Sequence, residues 1–455
     1  MNLMLSRYHV VSRAVGDGRS DASTRILFST RTGRLWVVSE LDWEILRDGQ
    51  FHRLPPTLLD GLVSSELLVP MASDELATVV ARNRQSIADD TTLSMVIQPT
   101  AHCQLGCSYC GQSHSSTWMT SAQQALFCGR VSQKLSAKSF RHLEIGWFGA
   151  EPLSGIGVMR AMSPELVKVA ARHGCTYGAF IVTNGLALTP SVATQLVREC
   201  AVHRITITLN GVAEYHDSRR HLKDGRPTFQ RIFANLVALA QRSDLQVQID
   251  VRSNVDRFNF GGISPLLRLF VDHGIHQRIN YYVEPIHSWG NDAHTRSLGP
   301  EEFAELEVGW LAEMMSLGFR VGVLPGLVPI VCLAVRPDAE VVDATGTLFN
   351  CTEVSYVPAY GVPNRFAIGS LDAGEVAERR ETLGAFHDRV LRGEVPCVSC
   401  RMLPVCGGAC PKAWLEGHAP CPSAKTNIET RLLLAYATAR RDESLTPPVS
   451  AEIRR

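Results

Sequence analysis

The chain has 455 residues, enough for two or three domains and a sizeable core. Apolar residues make up 45% and charged residues 20%, the balance of an ordinary globular enzyme. Lys+Arg and Asp+Glu are both 45, so no basic footprint calls for a nucleic-acid partner.

The first residues, 1–9, lack the apolar core of a signal peptide. The longest apolar stretch, 321–335, is too short for a bilayer and holds Pro325 and Pro329. A cytoplasmic protein with no membrane partner is expected, and there the 13 cysteines are not read as disulfides. Residues 1–88 read as a small α+β module. Two apolar runs, 26–30 and 35–39, flank Arg31-Thr32-Gly33 as a hairpin with glycine in its turn. Helical periodicity follows from Leu41 to Leu46 and stops at Asp48-Gly49, and a second helix lies near Pro56 to Ser64. The arrangement is winged-helix-like. It serves either as a cap on the domain that follows or as a handle for a partner.

Residues 89–320 alternate short apolar strands with helical stretches. The strands are expected near 93–97, 142–148, 177–182, 204–209, 246–252 and 279–283, with helices such as 121–136, 191–200 and 229–241 between them. Such alternation implies parallel strands with helices outside, and chemistry at the carboxyl ends of the strands. The first strand runs into Cys103, Cys107 and Cys110, spaced C-x3-C-x2-C. Three thiolates on one short loop can hold three irons of a [4Fe–4S] cube and leave the fourth open to a small molecule. A zinc knuckle is the competing reading, but it usually assembles four ligands in pairs. Cys128, Cys175 and Cys200 are isolated and read as buried free thiols.

Tyr109 precedes the last cysteine of the loop, and Phe148-Gly149-Ala150-Glu151-Pro152 follows some forty residues on. This combination resembles the signature of the radical SAM superfamily. The resemblance implies a partial (β/α)6 barrel, with S-adenosylmethionine chelating the open iron through its amino and carboxylate groups. It assigns Gly149, Ala150, Glu151 and Pro152 to the amino group. Further contacts are implied at Tyr109, at Asn184 after the third strand and at Thr208 after the fourth. His216-Asp217 with Arg220 resembles the family's H-D-x-x-R, and Arg252, placed at the end of the fifth strand, would hold the carboxylate. Two departures stand out: Ala150 replaces a glycine, and Asn210 replaces an aspartate and so lacks its charge.

Residues 321–440 hold seven cysteines. Cys332 is followed by thirteen residues, Gly346, four residues and Cys351; then come Cys397-x2-Cys400-x5-Cys406-x3-Cys410 and finally Cys421. The pattern resembles the SPASM domain, a loop-rich iron–sulfur domain with two auxiliary clusters. Carried over by position, Cys397, Cys400, Cys406 and Cys421 bind the outer cluster, while Cys332, Cys351 and Cys410 leave the inner one a ligand short. Three [4Fe–4S] clusters are implied in all. Two zinc ribbons would need eight cysteines. The tail, 441–455, is expected to be disordered.

The resemblance implies that an electron cleaves S-adenosylmethionine to a 5′-deoxyadenosyl radical, which removes hydrogen from a substrate. An external flavodoxin- or ferredoxin-like donor would supply that electron, and the auxiliary clusters would take one away. A proton must leave too, and Glu353, Glu284 and Asp343 are the candidate bases. Thr352 stands where some relatives carry an aspartate. The expected activity is oxidative cross-linking of a ribosomally made precursor peptide, because the N-terminal module resembles leader-peptide recognition elements. A formylglycine-forming sulfatase maturase is the second reading, and a non-catalytic iron–sulfur or zinc scaffold the third.

Overall fold

The computed structural model describes residues 2–16, 23–441 and 451–453. Its centre is a ten-stranded, mostly parallel sheet. Six parallel strands come first: β1 (Thr92–Ile97), β2 (His142–Trp147), β3 (Thr176–Thr183), β4 (Val202–Thr208), β5 (Gln248–Val255) and β6 (Asn280–Pro285). They lie side by side in chain order, as short strands joined by helical crossovers should. Alternation along each strand separates two faces. Leu93, Met95 and Ile97 pack with Phe127, Val131 and Leu135 of the helix Ser121–Ala137, in the main core. That helix starts on a capping box formed by Thr120 and Gln123. Val96, Phe148 and Phe180 face the other way, toward the C-terminal domain.

The fifth strand corrects one expectation. Burial alternates through Ile249, Val251, Ser253 and Val255, so pairing continues past Arg252 to Val255. Arg252 therefore sits inside the strand and not at its end. Ser253 and Asn254 are polar, and their polarity masks the continuation in sequence.

The C-terminal domain joins the sheet through β7 (Glu340–Val342), which runs parallel to β1. Three antiparallel strands continue from it: β8 (Thr347–Phe349), β9 (Gly369–Ser370) and β10 (Gly374–Glu375). Glu340 is fully buried at this seam. Its carboxylate accepts from Arg130 Nε and Nη2, both at 2.6 Å, pairs with Lys134 Nζ at 2.8 Å, and meets Arg380 Nη2 at 3.3 Å. Arg130 and Lys134 come from the helix after β1, and Arg380 from the helix Ala377–Gly384. One buried anion thus ties both domains together.

The N-terminal module has its own core of Leu27, Trp36, Val38, Trp43, Leu58 and Leu62. The expected hairpin is present as Ser23–Ser29 with Leu35–Ser39, turning through Gly33 at φ 73°. The module leans on the C-terminal cysteine region: Tyr8 packs with Val390, Cys397 and Leu403, and Val10, Ile26 and Phe28 with Met402, Val405, Ile428 and Leu432. Thr30 Oγ1 donates to the Arg401 carbonyl at 2.6 Å. Within the expected disordered tail, Ala451–Ile453 forms a strand antiparallel to Leu35–Val37; residues 442–450 and 454–455 lie outside the described residues. No helix among the described residues is long and apolar enough to cross a membrane.

Glu340→Ala should destabilise the protein strongly, by about 3–5 kcal/mol, because three cations lose their buried partner. Thermal unfolding followed together with limited proteolysis at the seam checks this. An unchanged midpoint and unchanged cleavage would show that the seam does not depend on this anion.

Candidate functional site

The cysteine loop leaves β1 and is held from three sides. Toward β4 and the segment after it, Gly106 N donates to the His221 carbonyl at 2.9 Å and Ser108 N to the Arg219 carbonyl at 3.0 Å. From the loop after β6, Asn291 Nδ2 donates to the Tyr109 carbonyl at 3.1 Å. From the C-terminal domain, Tyr356 O accepts from Ser113 N at 2.7 Å, and Ser355 O from Gln112 Nε2 at 3.2 Å. Burial pushes the Cys103 thiol up to about 12 and the Cys110 thiol up to about 11, in each case helped by the neighbouring Cys107. Such thiols give up protons only when something positive, such as iron, takes their place.

Tyr109 organises the tops of β4 and β5. Its phenol oxygen accepts from Arg220 Nη1 at 2.7 Å, from Asn210 Nδ2 at 3.0 Å and from Asn254 Nδ2 at 3.5 Å. Asn210 is fully buried, and its Oδ1 accepts from Asn254 N at 3.0 Å. The amide donates at one end and accepts at the other, which a carboxylate could not do. This is the physical reason for asparagine where the resembled family has aspartate. Arg220 is buried beside Tyr109, Cys107 and Cys103, and those groups hold its charge. His216, at the start of the H-D-x-x-R run, is buried and neutral in tendency; desolvation and Arg220 both lower its pKa. It accepts from Asn210 N at 3.2 Å.

Glu151 follows β2 and is wholly enclosed. Its oxygens accept from Leu153 N at 3.0 Å, Thr183 Oγ1 at 2.6 Å and Asn184 N at 2.7 Å. Desolvation still raises its pKa against these bonds. The carboxylate clamps the ends of β2 and β3, beside the turn at Gly149 and Ala150. That turn is strained: Gly149 has φ 77° and Ala150 φ 45°. A left-handed conformation costs an L-residue about 1–2 kcal/mol, so the alanine at 150 is less innocent than its size suggests. Pro152 opens a short 3-10 turn, and Asn184 Nδ2 reaches Cys103 Sγ at 3.9 Å. Thr208 pairs with Arg252 across β4 and β5.

Three residues of this region carry buried polar atoms without a partner, and sequence reasoning missed one of them, Gln98. Both side-chain heteroatoms of Gln98 are buried without a hydrogen-bond partner, as are Arg220 Nε and Arg252 Nε. A Cβ on Gly149 would lie 2.5 Å from Gln98 Cγ and 2.6 Å from its Nε2. Unsatisfied buried donors are expensive, and a zwitterion carrying an amino and a carboxylate group is the kind of ligand that would satisfy them. The residues present therefore fit S-adenosylmethionine beside a cluster on Cys103, Cys107 and Cys110.

Cys397, Cys400, Cys406 and Cys421 line one pocket with Lys425, whose Nζ lies 3.4 Å from Cys421 Sγ. Burial and the other three thiols push Cys397 up to about 12. Cys332 and Cys351 are raised by burial and by Cys410, and Cys332 stands at about 11. Cys332, Cys351 and Leu333 pack against the cluster that contains Phe148 and Phe180, on the sheet's open face. Among the described residues no three His, Cys, Asp or Glu are drawn together as a single metal ion would require. Cys175 and Cys200 are buried and Cys128 is half-buried in the helix Ser121–Ala137.

The three candidate bases separate. Asp343 is a turn cap: Thr345 N, Thr345 Oγ1 and Thr347 N all donate to its Oδ1, at 2.9, 2.6 and 2.9 Å. That use corrects its reading as a base. Glu353 stands near both Cys110 of the loop and Cys351 of the C-terminal region, since after burial its charge contributes to raising both. Glu284, on the open face of β6, is pushed up to about 7 by the protein around it, with Arg252 opposing the rise. Water reaching its exposed side also works against that rise.

Gly149→Ala should weaken S-adenosylmethionine binding by about tenfold or more, since Gln98 must move. Equilibrium dialysis of the iron-loaded protein measures this. Undiminished affinity would show that the turn does not cradle the ligand.

No family model matches the chain. It is 22% identical over 357 residues to the serine-type anaerobic sulfatase-maturating enzyme of Bacteroides thetaiotaomicron, covering 70% of this chain and 83% of that protein. The fold is similar to that of anSMEcpe, solved with bound AdoMet, at TM-score 0.56 and 16% identity over 77% of this chain and 98% of that one. It is also similar to SuiB of Streptococcus suis, solved with the precursor peptide SuiA, at TM-score 0.48 and 12% identity over 92% and 98%. The cysteine loop, the strand-end cradle and the seven C-terminal cysteines stand together in one chain, a combination that resembles the radical SAM enzymes with a SPASM domain, and the protein is an enzyme.

Proposed function

We propose that the enzyme oxidatively cross-links a ribosomally made precursor peptide. The observation that carries the oxidative part is the position of Glu353 and Cys351. Glu353, two residues beyond Cys351, stands near Cys110 of the loop, and Cys332 and Cys351 pack with Phe148 and Phe180 on the open face of the sheet. An electron acceptor held there would stand next to a substrate lying on that face. When bound, S-adenosylmethionine and the loop cluster would supply a hydrogen-abstracting radical, and the two C-terminal clusters an electron outlet. The six parallel strands would curve as a partial barrel around the substrate.

The chain's own residues do the rest. Tyr109, Asn210 and Arg220 fix the loop over β4 and β5. Trp289 Nε1 donates to the Glu353 carbonyl and so joins the loop after β6 to the C-terminal domain. Gly111 allows no side chain there, because a Cβ would collide with the Trp289 backbone. These contacts close the site against water, which competing hydrogen donors would otherwise enter. Glu284 is the better-placed base, for it is open to the sheet's inner space and has a raised pKa.

The second reading, formylglycine formation from serine, is favoured by the curated relative. Thr352 in place of the aspartate of some relatives, and the separately cored N-terminal module, favour the first. Both products lose two hydrogen atoms, so mass alone does not separate them. Only formylglycine carries an aldehyde that reacts with a hydrazide. The reconstituted enzyme is incubated with S-adenosylmethionine, dithionite and any short peptide that an adjacent reading frame encodes. A hydrazide-inert product lighter by two hydrogens is expected; a hydrazone would replace cross-linking by formylglycine formation.

Two variants test the residues. Cys107→Ala should abolish deoxyadenosine release and remove about a third of the iron, while Cys406→Ala should remove a similar share yet spare that release. Loss of release in neither would refute the loop assignment. If Glu284 is the base, product formation should rise with pH through about 7, as its carboxyl ionises. Glu284→Gln should remove that limb, and a limb that persists would exclude Glu284.

A further inference from the structure

The open face of the sheet is divided. Val96, Gly146 and Phe180 make one half apolar, and the C-terminal domain packs against it. The other half, on β4, β5 and β6, carries Arg204, Asp250, Arg252 and Tyr282. Arg204 stands at the border. Its guanidinium carbon lies 4.9 Å from the centre of the Phe180 ring, and Arg204 and Phe180 are direct partners across β3 and β4.

Among the described residues Arg204 has no carboxylate within ion-pair distance and its side chain makes no hydrogen bond. Two carboxylates on nearby strands of the same sheet are engaged elsewhere. Glu144 is held by His142 Nε2 at 2.9 Å and His203 Nε2 at 3.0 Å. Asp250 accepts from Gln248 Nε2 at 2.9 Å and Asn280 Nδ2 at 3.0 Å. A half-buried guanidinium has five donors to satisfy and a fork shaped for a carboxylate. The ring of Phe180 holds it flat at the edge of the space that the inner cysteines also border.

We propose that Arg204 anchors a carboxylate of the peptide substrate. This rests on the reading that the enzyme modifies a peptide, and it adds what kind of peptide. Arg204 precedes Thr208 by four residues on β4, roughly 13 Å along the strand. Thr208 lies at the cofactor end. An extended peptide spans that distance in about four residues, so the acidic group sits about four positions from the residue attacked.

The test uses the reconstituted holoenzyme with S-adenosylmethionine. It is titrated with fluorescein-labelled dodecapeptides of Gly, Ser and Ala that carry one Glu, moved position by position. Each has a Gln twin and a C-terminally amidated twin, and binding is read by anisotropy. The wild type should bind the best-placed Glu peptide about tenfold more tightly than its Gln twin. That ratio should fall to about one in Arg204→Gln and largely return in Arg204→Lys, which a purely structural role would not produce. A preference that follows the free C-terminus assigns the same anchor to a terminal carboxylate. A ratio unchanged by Arg204→Gln, or no preference at any position, overturns the proposal. Deoxyadenosine release by the same preparation is scored separately, and its absence would remove the maturase reading without deciding the ratio.

Discussion

The structure depends on one seam, where β7 adds to the free edge of β1. Without it the parallel sheet would end in an unpaired strand, and the C-terminal cysteines would have no fixed relation to the loop. Pairing alone is short, three residues with one further bond from Gln98 N to the Val342 carbonyl at 2.9 Å. Glu340 makes the seam specific. A carboxylate this buried is tolerable only with its cations in place, and those cations come from both sides. Glu375 joins the same group: Arg380 above all holds its carboxyl down at about 2. The seam also sets Gln98 beneath the turn at Gly149, so domain joining and cofactor cradle share a residue.

The cradle shows how a loop with little regular structure can be made rigid. Its main chain is bonded outward, to His221, Arg219, Tyr356 and Asn291, as well as inward, where Cys110 N donates to the Cys107 carbonyl at 3.2 Å. The side chains that remain unsatisfied, Gln98, Arg220 Nε and Arg252 Nε, lie where the resemblance puts the methionine part of the cofactor. A protein folding alone would not favour such orphans. Their energetic cost is offset only when a ligand with matching charges arrives, so stability and binding are coupled at this point.

The six parallel strands were legible because each has a strong alternation with buried aliphatic residues on one face. The N-terminal hairpin was legible from Gly33 and the helix at Pro56 from proline at its first position. The division of the C-terminal cysteines rests on the resemblance, since spacing alone would group Cys410 with Cys406. Arg252 was misplaced because serine and asparagine resemble a strand end when the open face is polar. Asp343 resembled a base because sequence does not reveal that three donors already surround one of its oxygens. Glu340 was invisible for a related reason: its partners stand about 210 and 40 residues away, and charge patterning along the chain carries no sign of them. Gln98 gave no signal either, since an orphaned amide is a property of the fold and not of the residue.

The N-terminal module takes its meaning from where it packs. Tyr8 and Val10 meet the residues that frame the outer cysteines, and Arg7 Nη2 donates to the Val398 carbonyl at 3.0 Å. Expected as a cap on the parallel-strand domain or as a handle for a peptide, it braces the cysteine region of the C-terminal domain. Removing it whole would uncover Met402, Val405 and Leu432 together, and any loss of activity would then report exposed core. A handle and a brace are compatible, because the module's inner face serves its own core and the cysteine region while its outer surface stays free. The question of what it binds must therefore be put to single exposed side chains, such as Leu41 at 62% exposure, which lies outside both packed clusters.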